Sequence, residues 1–404
     1  MPTGAGFPVT TVVHSIVTIE ERNLNQDIPP VPGKHTVTNV NTSAIAKSNH
    51  TGDEEMIFRK KTVKKEAREL RKIIMKPTLA CTANCKTCAY RRELHRELSA
   101  AKTLSLDDWK KILSDAHELG NKRLSISGGE PTLYRDLTEL IKTGKGFGWH
   151  VGINTNGSLI TREYAKRLMD AGLDQVRISL YSHIPEVHDE MRNRKGLWEK
   201  AVNAIRIFSD LRQQYPYFRI NTQTIICKDN YKELTELIKL HYESGSVDMN
   251  LSYLEGDFEK QFLLSRNELE EFKERVIPEA IRFCKEHRFP VDTGKNLKKL
   301  YNEKAADMDD YAGGIYRPPE KNHPFCNIPR RQAEILANGD IHPCNIVEYS
   351  HTPVVGNLFE NTLGEIWRGE KREHFREHFF RGTPVDYCTL CPMYLYTEIP
   401  LRKR

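Results

Sequence analysis

The chain has 404 residues, 38% of them hydrophobic and 29% charged, with a formal net charge of +6. That length accommodates two domains, or one large α/β domain with an extension, and no apolar run approaches the roughly 18–20 residues that span a bilayer. The modest charge suits an anionic ligand without marking a nucleic-acid binder, and the opening MPTGAGFPVTTVVHSIV lacks the basic and apolar segments of a secretory signal, so a cytoplasmic protein with no membrane partner is expected.

Residues 1–66 are polar, with Pro29, Pro30 and Pro32 among scattered Thr, Asn and Gly, and read as a partly extended arm with one short strand at Val12–Ile19. Arg59–Lys72 is a basic helical stretch, read as a solvated face. IIMKPTL then reads as a strand leading to Cys81. Ser105 caps a helix with Asp108 as its capping-box partner; Trp109, Ile112, Leu113, Ala116 and Leu119 form its apolar stripe, and Gly120 ends it. Arg123–Ser127 alternates as a strand and runs into Gly128-Gly129-Glu130-Pro131, and Leu133, Leu137, Leu140 and Ile141 mark the next helix.

The alternation continues. Val151–Asn154 is a strand ending in Thr155-Asn156-Gly157; Thr161 opens a helix that Gly172 closes; Val176–Leu180 is a strand followed by helix through Leu197, Ala201, Ile205 and Phe208. Arg219–Ile226, a helix at Tyr231–Leu240 opened by Asn230, Val247–Tyr253 and a helix at Glu268–Glu286 complete six strand–helix pairs. Strict alternation predicts parallel strands with right-handed crossovers, hence a doubly wound sheet or a barrel. The unusual residues, Cys81, Gly128, Asn156, Tyr181 and Glu255, all follow strands, where such folds build their sites. Residues 288–325 read as a linker. Ala333–Leu336 and Ile341–Pro343 flank Asn338-Gly339 as a hairpin, and a basic helix follows near Ile366–Phe380.

Nine cysteines without a secretory signal point to metal rather than disulfides. Cys227 and Cys284 read as buried thiols. Cys81, Cys85 and Cys88 are spaced C-x3-C-x2-C. Three close thiolates can hold three irons of a 4Fe–4S cube and leave the fourth open to a small chelating ligand. Gly128 and Gly129 would allow close backbone approach to that ligand, and Glu130 would contact an ammonium or a ribose hydroxyl. A zinc site completed by His95 is the competing reading.

The C-x3-C-x2-C after the first strand, with Gly-Gly-Glu-Pro after the second, resembles the radical S-adenosylmethionine (SAM) superfamily over roughly residues 70–290. The resemblance implies an α/β fold, a (β/α)6 partial TIM barrel at 67–290, with Cys81, Cys85 and Cys88 on the cluster and SAM chelated to the open iron. Carried over residue by residue, it implies SAM contacts from Gly128, Gly129 and Glu130, from Asn154 and Asn156 in the third-strand turn, and from Ser179 in Ser179-Leu180-Tyr181-Ser182. Arg192 would pair with the methionine carboxylate. Thr87 stands where the family often has an aromatic before the third cysteine, with Tyr90 as a substitute.

Cys326, Cys344, Cys388 and Cys391 around the hairpin resemble the SPASM or "twitch" extension of such enzymes, implying one auxiliary 4Fe–4S cluster in a small C-terminal domain at 291–404; a structural zinc remains open there. An auxiliary cluster suits a net oxidation, which needs a base near the radical carbon. Glu255 and Asp257 are the first candidates, with Tyr181, His183 and Tyr253 beside them. The expected activity is therefore reductive SAM cleavage followed by hydrogen abstraction. The arm lacks the helices of a peptide-binding module, so the expected substrate is a small polar metabolite (a sugar, aminocyclitol or aminoglycoside) undergoing dehydrogenation or radical dehydration. A flavodoxin- or ferredoxin-type donor supplies the electron. A peptide maturase is the alternative, and a non-catalytic iron–sulfur carrier or sensor a second one.

Overall fold

The structure is a computed structural model that describes residues 69–88, 102–254, 260–289, 297, 308–313, 328–344 and 353–381. The chain divides into two compact units, Met1–Glu55 and Met56–Arg404, and all described residues belong to the second. The expected N-terminal arm, Glu255, Asp257, Cys326, Cys388 and Cys391 lie outside the described residues.

Strands β1 (Lys72–Lys76), β2 (Arg123–Ile126), β3 (His150–Thr155), β4 (Gln175–Ser179), β5 (Arg219–Ile226) and β6 (Asp248–Tyr253) alternate with helices. These are α1 (Leu106–Glu118), α2 (Leu137–Gly146), α3 (Arg162–Asp170), α4 (Pro185–Met191), α5 (Leu197–Leu211) and α6 (Leu234–Glu243), with α7 (Arg266–Glu271) and α8 (Ile277–Glu286) after β6. The six strands are parallel and stand in sequence order. Sequential order decides between the two architectures that alternation allowed. A doubly wound sheet reverses direction from its first strand, whereas right-handed crossovers that never reverse keep all helices on one side and curl the sheet into a barrel wall.

Side-chain alternation confirms the curl. Ile73, Met75, Leu124, Ile126, Val151, Ile153, Val176, Ile178, Ile220, Met249 and Leu251 join the apolar core with the helices. The intervening positions, among them Ser125, Asn154, Arg177, Gln223 and Asn250, form a polar inner face. A face lined by amides and charges cannot be a packed core; it is the wall of a solvated or ligand-filled lumen.

Local signals act as their chemistry dictates. Ser105 caps α1 in a full capping box with Asp108, Thr161 caps α3, and Gly172 closes it at φ 96°. The single helix expected after β4 is two, α4 and α5, separated by a turn in which Asn193 and Gly196 take positive φ. The helix expected at Glu268–Glu286 begins earlier, at a Ser265–Glu268 capping box, and passes through a π segment at Phe272–Val276. Pro278 explains the latter: with no N–H to give the preceding turn, it favours a local change of hydrogen-bond register. The basic helix expected to end at Lys72 instead enters β1 by that residue.

The C-terminal hairpin forms as expected, β7 (Gln332–Leu336) antiparallel to β8 (Asp340–His342) across the Asn338-Gly339 turn. Its placement was not foreseen. β7 pairs in parallel with β1, Lys72 facing Gln332 and Lys76 facing Leu336, and β9 (Gly356–Asn357) follows β8. The barrel sheet is thereby extended beyond β1 to nine strands. The segment read as a linker contains α9 (Met308–Ala312), and α10 (Ile328–Arg331) leads into β7. Beyond β9, α11 (Leu363–Arg368) and α12 (Glu370–Arg381) complete the described chain.

Candidate active site

β1 ends in the loop that carries Cys81, Cys85 and Cys88, all free thiols of intermediate exposure. The loop is clamped by its backbone onto the end of α4, with the Asn84 N–H donating to the Arg192 carbonyl and the Lys86 N–H to that of Met191, both at 3.1 Å. Lys86 Nζ reinforces this at 2.6 Å from Glu190 Oε1. Among the described residues no three His, Cys, Asp or Glu side chains converge tightly enough to hold a metal ion. The three thiols share a loop without meeting at a point. Thiolates repel one another, and a cluster's iron is what offsets that repulsion.

Hydrogen-bond donors and a cation gather around Cys81, although burial on balance disfavours its ionised form. The Ala83 N–H points at Cys81 Sγ at 3.4 Å and the Asn156 amide at 3.7 Å. Burial pushes the Cys81 thiol up, as does the neighbouring Cys85, while the Ala83 N–H and Arg192 pull it down. Arg192 is buried, its Cζ 4.6 Å above the Tyr181 ring. Burial alone would weaken its charge, but Cys85, Tyr181, Cys81 and Cys88 together raise its pKa. A thiolate donor set facing a fixed guanidinium and amide donors fits an anionic iron–sulfur cluster.

The Gly-Gly-Glu-Pro turn packs directly beneath this loop. A Cβ on Gly128 would stand 2.2 Å from the Thr78 carbonyl oxygen, and Gly128 has φ +125°. A Cβ on Gly129 would stand 2.2 Å from the Ala80 oxygen. The close approach read from these glycines is thus to the chain's own Thr78–Ala80 backbone, sealed by Gly129 N–H to Thr78 O and Glu130 N–H to Ala80 O. Glu130 is 1% exposed. Its Oε1 accepts from the Thr132 N–H, the Thr132 hydroxyl and the Thr155 hydroxyl, and its Oε2 from the Asn156 N–H at 2.7 Å. The carboxylate expected to meet an ammonium or ribose is therefore largely committed to holding two turns together.

Asn156 bridges the turns to the cysteine loop: its amide also donates to Thr82 Oγ1 at 2.9 Å, and Thr82 hydrogen-bonds Ser158 at 2.6 Å. Asn154 lies deeper, on the inner face, where Arg177 approaches its Oδ1 at 3.5 Å. Ser179 is half-buried at the end of β4. Thr82 carries no motif signal; Thr155 stands in the Thr155-Asn156-Gly157 turn, but only the folded structure reveals that its hydroxyl serves Glu130.

Tyr181 follows β4 and is buried. Burial pushes its phenol up to about 12, so it stays protonated at neutral pH and has no room to accept a proton. Its N–H donates to His188 Nδ1 at 3.1 Å, and its carbonyl accepts from Asn230 Nδ2 at 2.7 Å. Burial, then Arg192, pulls His188 down to about 3, leaving a neutral imidazole protonated on Nε2. Asn230 was expected to cap a helix; it instead ties β4 to β5, also giving its amide to the Ile225 carbonyl and taking the Cys227 N–H. His183 stands 3.3 Å from Glu233, which also accepts from Ser182.

Of the second cysteine group, only Cys344 lies in the described residues, and it is buried. Because Glu334 faces His342 in the hairpin, carrying the register two residues on sets Cys344 opposite Gln332, which faces Lys72. Cys344 thus stands by the amino end of β1, while Cys81 follows its carboxyl end. Among the described residues, Cys81 and Cys344 therefore lie toward opposite ends of β1.

A thiolate loop over the carboxyl end of a one-sided, curled β/α sheet defines a metalloenzyme built around an iron–sulfur cluster. Residues 75–241 match the radical SAM superfamily and residues 326–392 match an iron–sulfur cluster-binding domain, SPASM, the pairing of a radical SAM enzyme with a C-terminal auxiliary-cluster domain. Its cofactors are a SAM-binding 4Fe–4S cluster, SAM and auxiliary iron–sulfur chemistry in the C-terminal part. It is similar to an AdoMet-dependent heme synthase of Oleidesulfovibrio alaskensis, 27% identical over 80% of this chain and 79% of that one. It is also similar to the PqqA peptide cyclase of Bradyrhizobium diazoefficiens, 29% identical over 45% of each chain. Streptococcus suis SuiB, solved bound to its precursor peptide SuiA, has the same fold: TM-score 0.58 at 19% identity, over 90% of this chain and 79% of SuiB.

Proposed function

We propose that this protein is a maturase that modifies a ribosomally made peptide or protein by radical SAM chemistry. The observation that carries this reading is the open sheet. Among the described residues β6 has a strand neighbour only in β5, so the polar lumen is slit along one side and an extended chain can enter laterally. A closed barrel would admit only what passes its mouth. The peptide cyclases among the relatives support the reading. It takes the place of the small-metabolite expectation, which rested on residues 1–66.

When bound, the cluster and SAM supply a 5′-deoxyadenosyl radical that removes a substrate hydrogen. The chain's residues do the rest. Cys81, Cys85 and Cys88 would hold the cluster, Arg192 sets a positive charge beside it, and Glu130 with Asn156 fixes the loop. In this proposal Glu255 or Asp257, next after β6, receives the proton lost on oxidation and Cys326, Cys344, Cys388 and Cys391 hold the auxiliary cluster. A flavodoxin- or ferredoxin-type donor delivers the first electron. Loss of a proton and an electron from the substrate radical would make the reaction an oxidation; loss of a leaving group would make it a lyase reaction.

A tetrapyrrole substrate is the second reading, favoured by the length of the match to the heme synthase. Anaerobically reconstituted protein given reductant, SAM and either a deuterated precursor peptide or an iron porphyrin separates the two. Deuterium reaching 5′-deoxyadenosine from the peptide supports the proposal. Hydrogen abstraction from the porphyrin alone favours the second reading, and abstraction from neither sinks both. Cys85→Ala should abolish 5′-deoxyadenosine formation in every arm.

A further inference from the structure

The lower end of the barrel holds a feature that radical chemistry at the mouth does not use. Lys72, Arg123 and His150 open β1, β2 and β3. With Asn154, Gln175 and Arg177 they line a cavity of about 50 Å³ on the inner face. On this measure one water needs roughly 10–15 Å³, so the space takes a small polyatomic group and excludes a nucleotide.

Three cations meet there without committed counter-charges. Among the described residues Lys72, Arg123 and Arg177 make no ion pair. The Arg177 Nε is buried without a partner. The nearby carboxylates are engaged elsewhere. Asp174 holds Lys145 at 2.8 Å and the Val151 N–H at 2.7 Å; Asp248 takes the Asn221 amide and the Met249 N–H; Glu334 faces Lys76 at 2.6 Å. The mutual cost is visible in Lys72, which burial, then Arg177 and Arg123, pulls down to about 8 against the opposing pull of Glu334. Burial also lowers Arg177, against the opposing pull of Asp248. Burial keeps His150 below its ordinary value, as a neutral imidazole able to hydrogen-bond.

Lys72 and Arg177 are half-buried and Arg123 is exposed; like charges gathered without a counter-ion at a partly enclosed polar space are unfavourable unless an anion joins them. We propose that the floor of the barrel binds a small oxyanion, a phosphate or carboxylate group, held by Lys72, Arg123 and Arg177. Each guanidinium can offer paired N–H groups to two oxygens, which suits both ions. The two sources differ: phosphate would arrive as a free ion, a carboxylate as part of a larger ligand.

The reconstituted holoenzyme is titrated with inorganic phosphate or with acetate, sodium chloride matching the ionic strength. One oxyanion should raise the unfolding midpoint saturably where chloride does not. Saturation by phosphate identifies a free ion, and saturation by acetate identifies a carboxylate; either supports the site. Arg123→Gln and Arg177→Gln should each weaken the fitted affinity at least tenfold while keeping iron content and far-UV spectrum. With the repulsion relieved, Arg123→Gln without anion should unfold no lower than the parent. No saturable response in the parent, or a response retained in both variants, overturns the proposal. Cys344 stands at this same end of the sheet, so the auxiliary cluster is a rival source of negative charge. If Arg177→Gln shifts that cluster's midpoint potential while the parent shows no oxyanion response, the cations belong to the cluster and the oxyanion site is refuted.

Discussion

Glu130 shows how one side chain can hold a site together. Its two oxygens take four donors from Thr132, Thr155 and Asn156. Glu130→Ala would leave buried N–H groups of Thr132 and Asn156 without acceptors, at about 1–3 kcal/mol each. Urea unfolding should record a loss of roughly 2–4 kcal/mol, with weaker SAM binding because Asn156 releases the cysteine loop. Gly128→Ala should be as damaging, about 3 kcal/mol, since its Cβ would meet a backbone oxygen and not a side chain that can move. His241 carries a pH signature. It is fully buried, Nδ1 2.7 Å from the Thr222 hydroxyl, and burial pulls it down to about 3 from its ordinary 6.5. The unfolded chain therefore binds a proton below pH 6.5 that the folded chain refuses until near pH 3. Its contribution is intact above pH 6.5 and is lost on acidification, at about 1.4 kcal/mol per pH unit. Denaturant midpoints between pH 7.5 and 5 should fall, and His241→Gln should flatten the slope by that amount.

At the scale of elements, the cysteine loop is held as much by α4 as by β1, through the Met191 and Arg192 carbonyls. The motif spacing makes the thiols legible in the sequence, and the capping box at Ser105 and the N-cap at Thr161 are legible too, because these are local chemistry. The clamp is not legible: backbone carbonyls carry no sequence signal, and α4 looked continuous with α5 until Asn193 and Gly196 were seen to turn the chain. The same limit applies to Asn230, whose type suits a cap but whose amide is taken by strands on either side. Arg372 is another case. It is fully buried beneath helix α12, its Cζ 3.7 Å from the centre of the Trp367 ring and its Nη2 donating to the Pro329 and Gln332 carbonyls. Arg372→Leu should take this donor from both carbonyls and loosen α10 from β7, costing about 2–4 kcal/mol; hydrogen exchange at residues 328–336 should accelerate.

Across the whole molecule, the barrel and the C-terminal sheet are joined by β1 and β7. Their link includes a buried ion pair, Lys76 Nζ 2.6 Å from Glu334 Oε1 with the two side chains 5% and 1% exposed. Glu334→Ala should cost about 3–5 kcal/mol by leaving a buried ammonium without this carboxylate, whereas Lys76→Met with Glu334→Leu should come close to the parent. A thermal melt of the double and single variants checks the difference. Periodicity disclosed the six barrel strands, but strands so far apart in sequence pair by shape, and no local pattern announces the partner.

That pairing has a consequence for biosynthesis. While the chain is still emerging from the ribosome, β1 has β2 on one flank and bare backbone groups on the other, because β7 is made only after every helix of the barrel. Its exposed flank is an invitation to a neighbouring nascent chain until translation is nearly finished. Cells expressing the protein quickly should therefore accumulate more of it in inclusion bodies than cells given slow induction, and holdase chaperones should be found on the ribosome-bound species in which residues 332–336 have not yet left the exit tunnel.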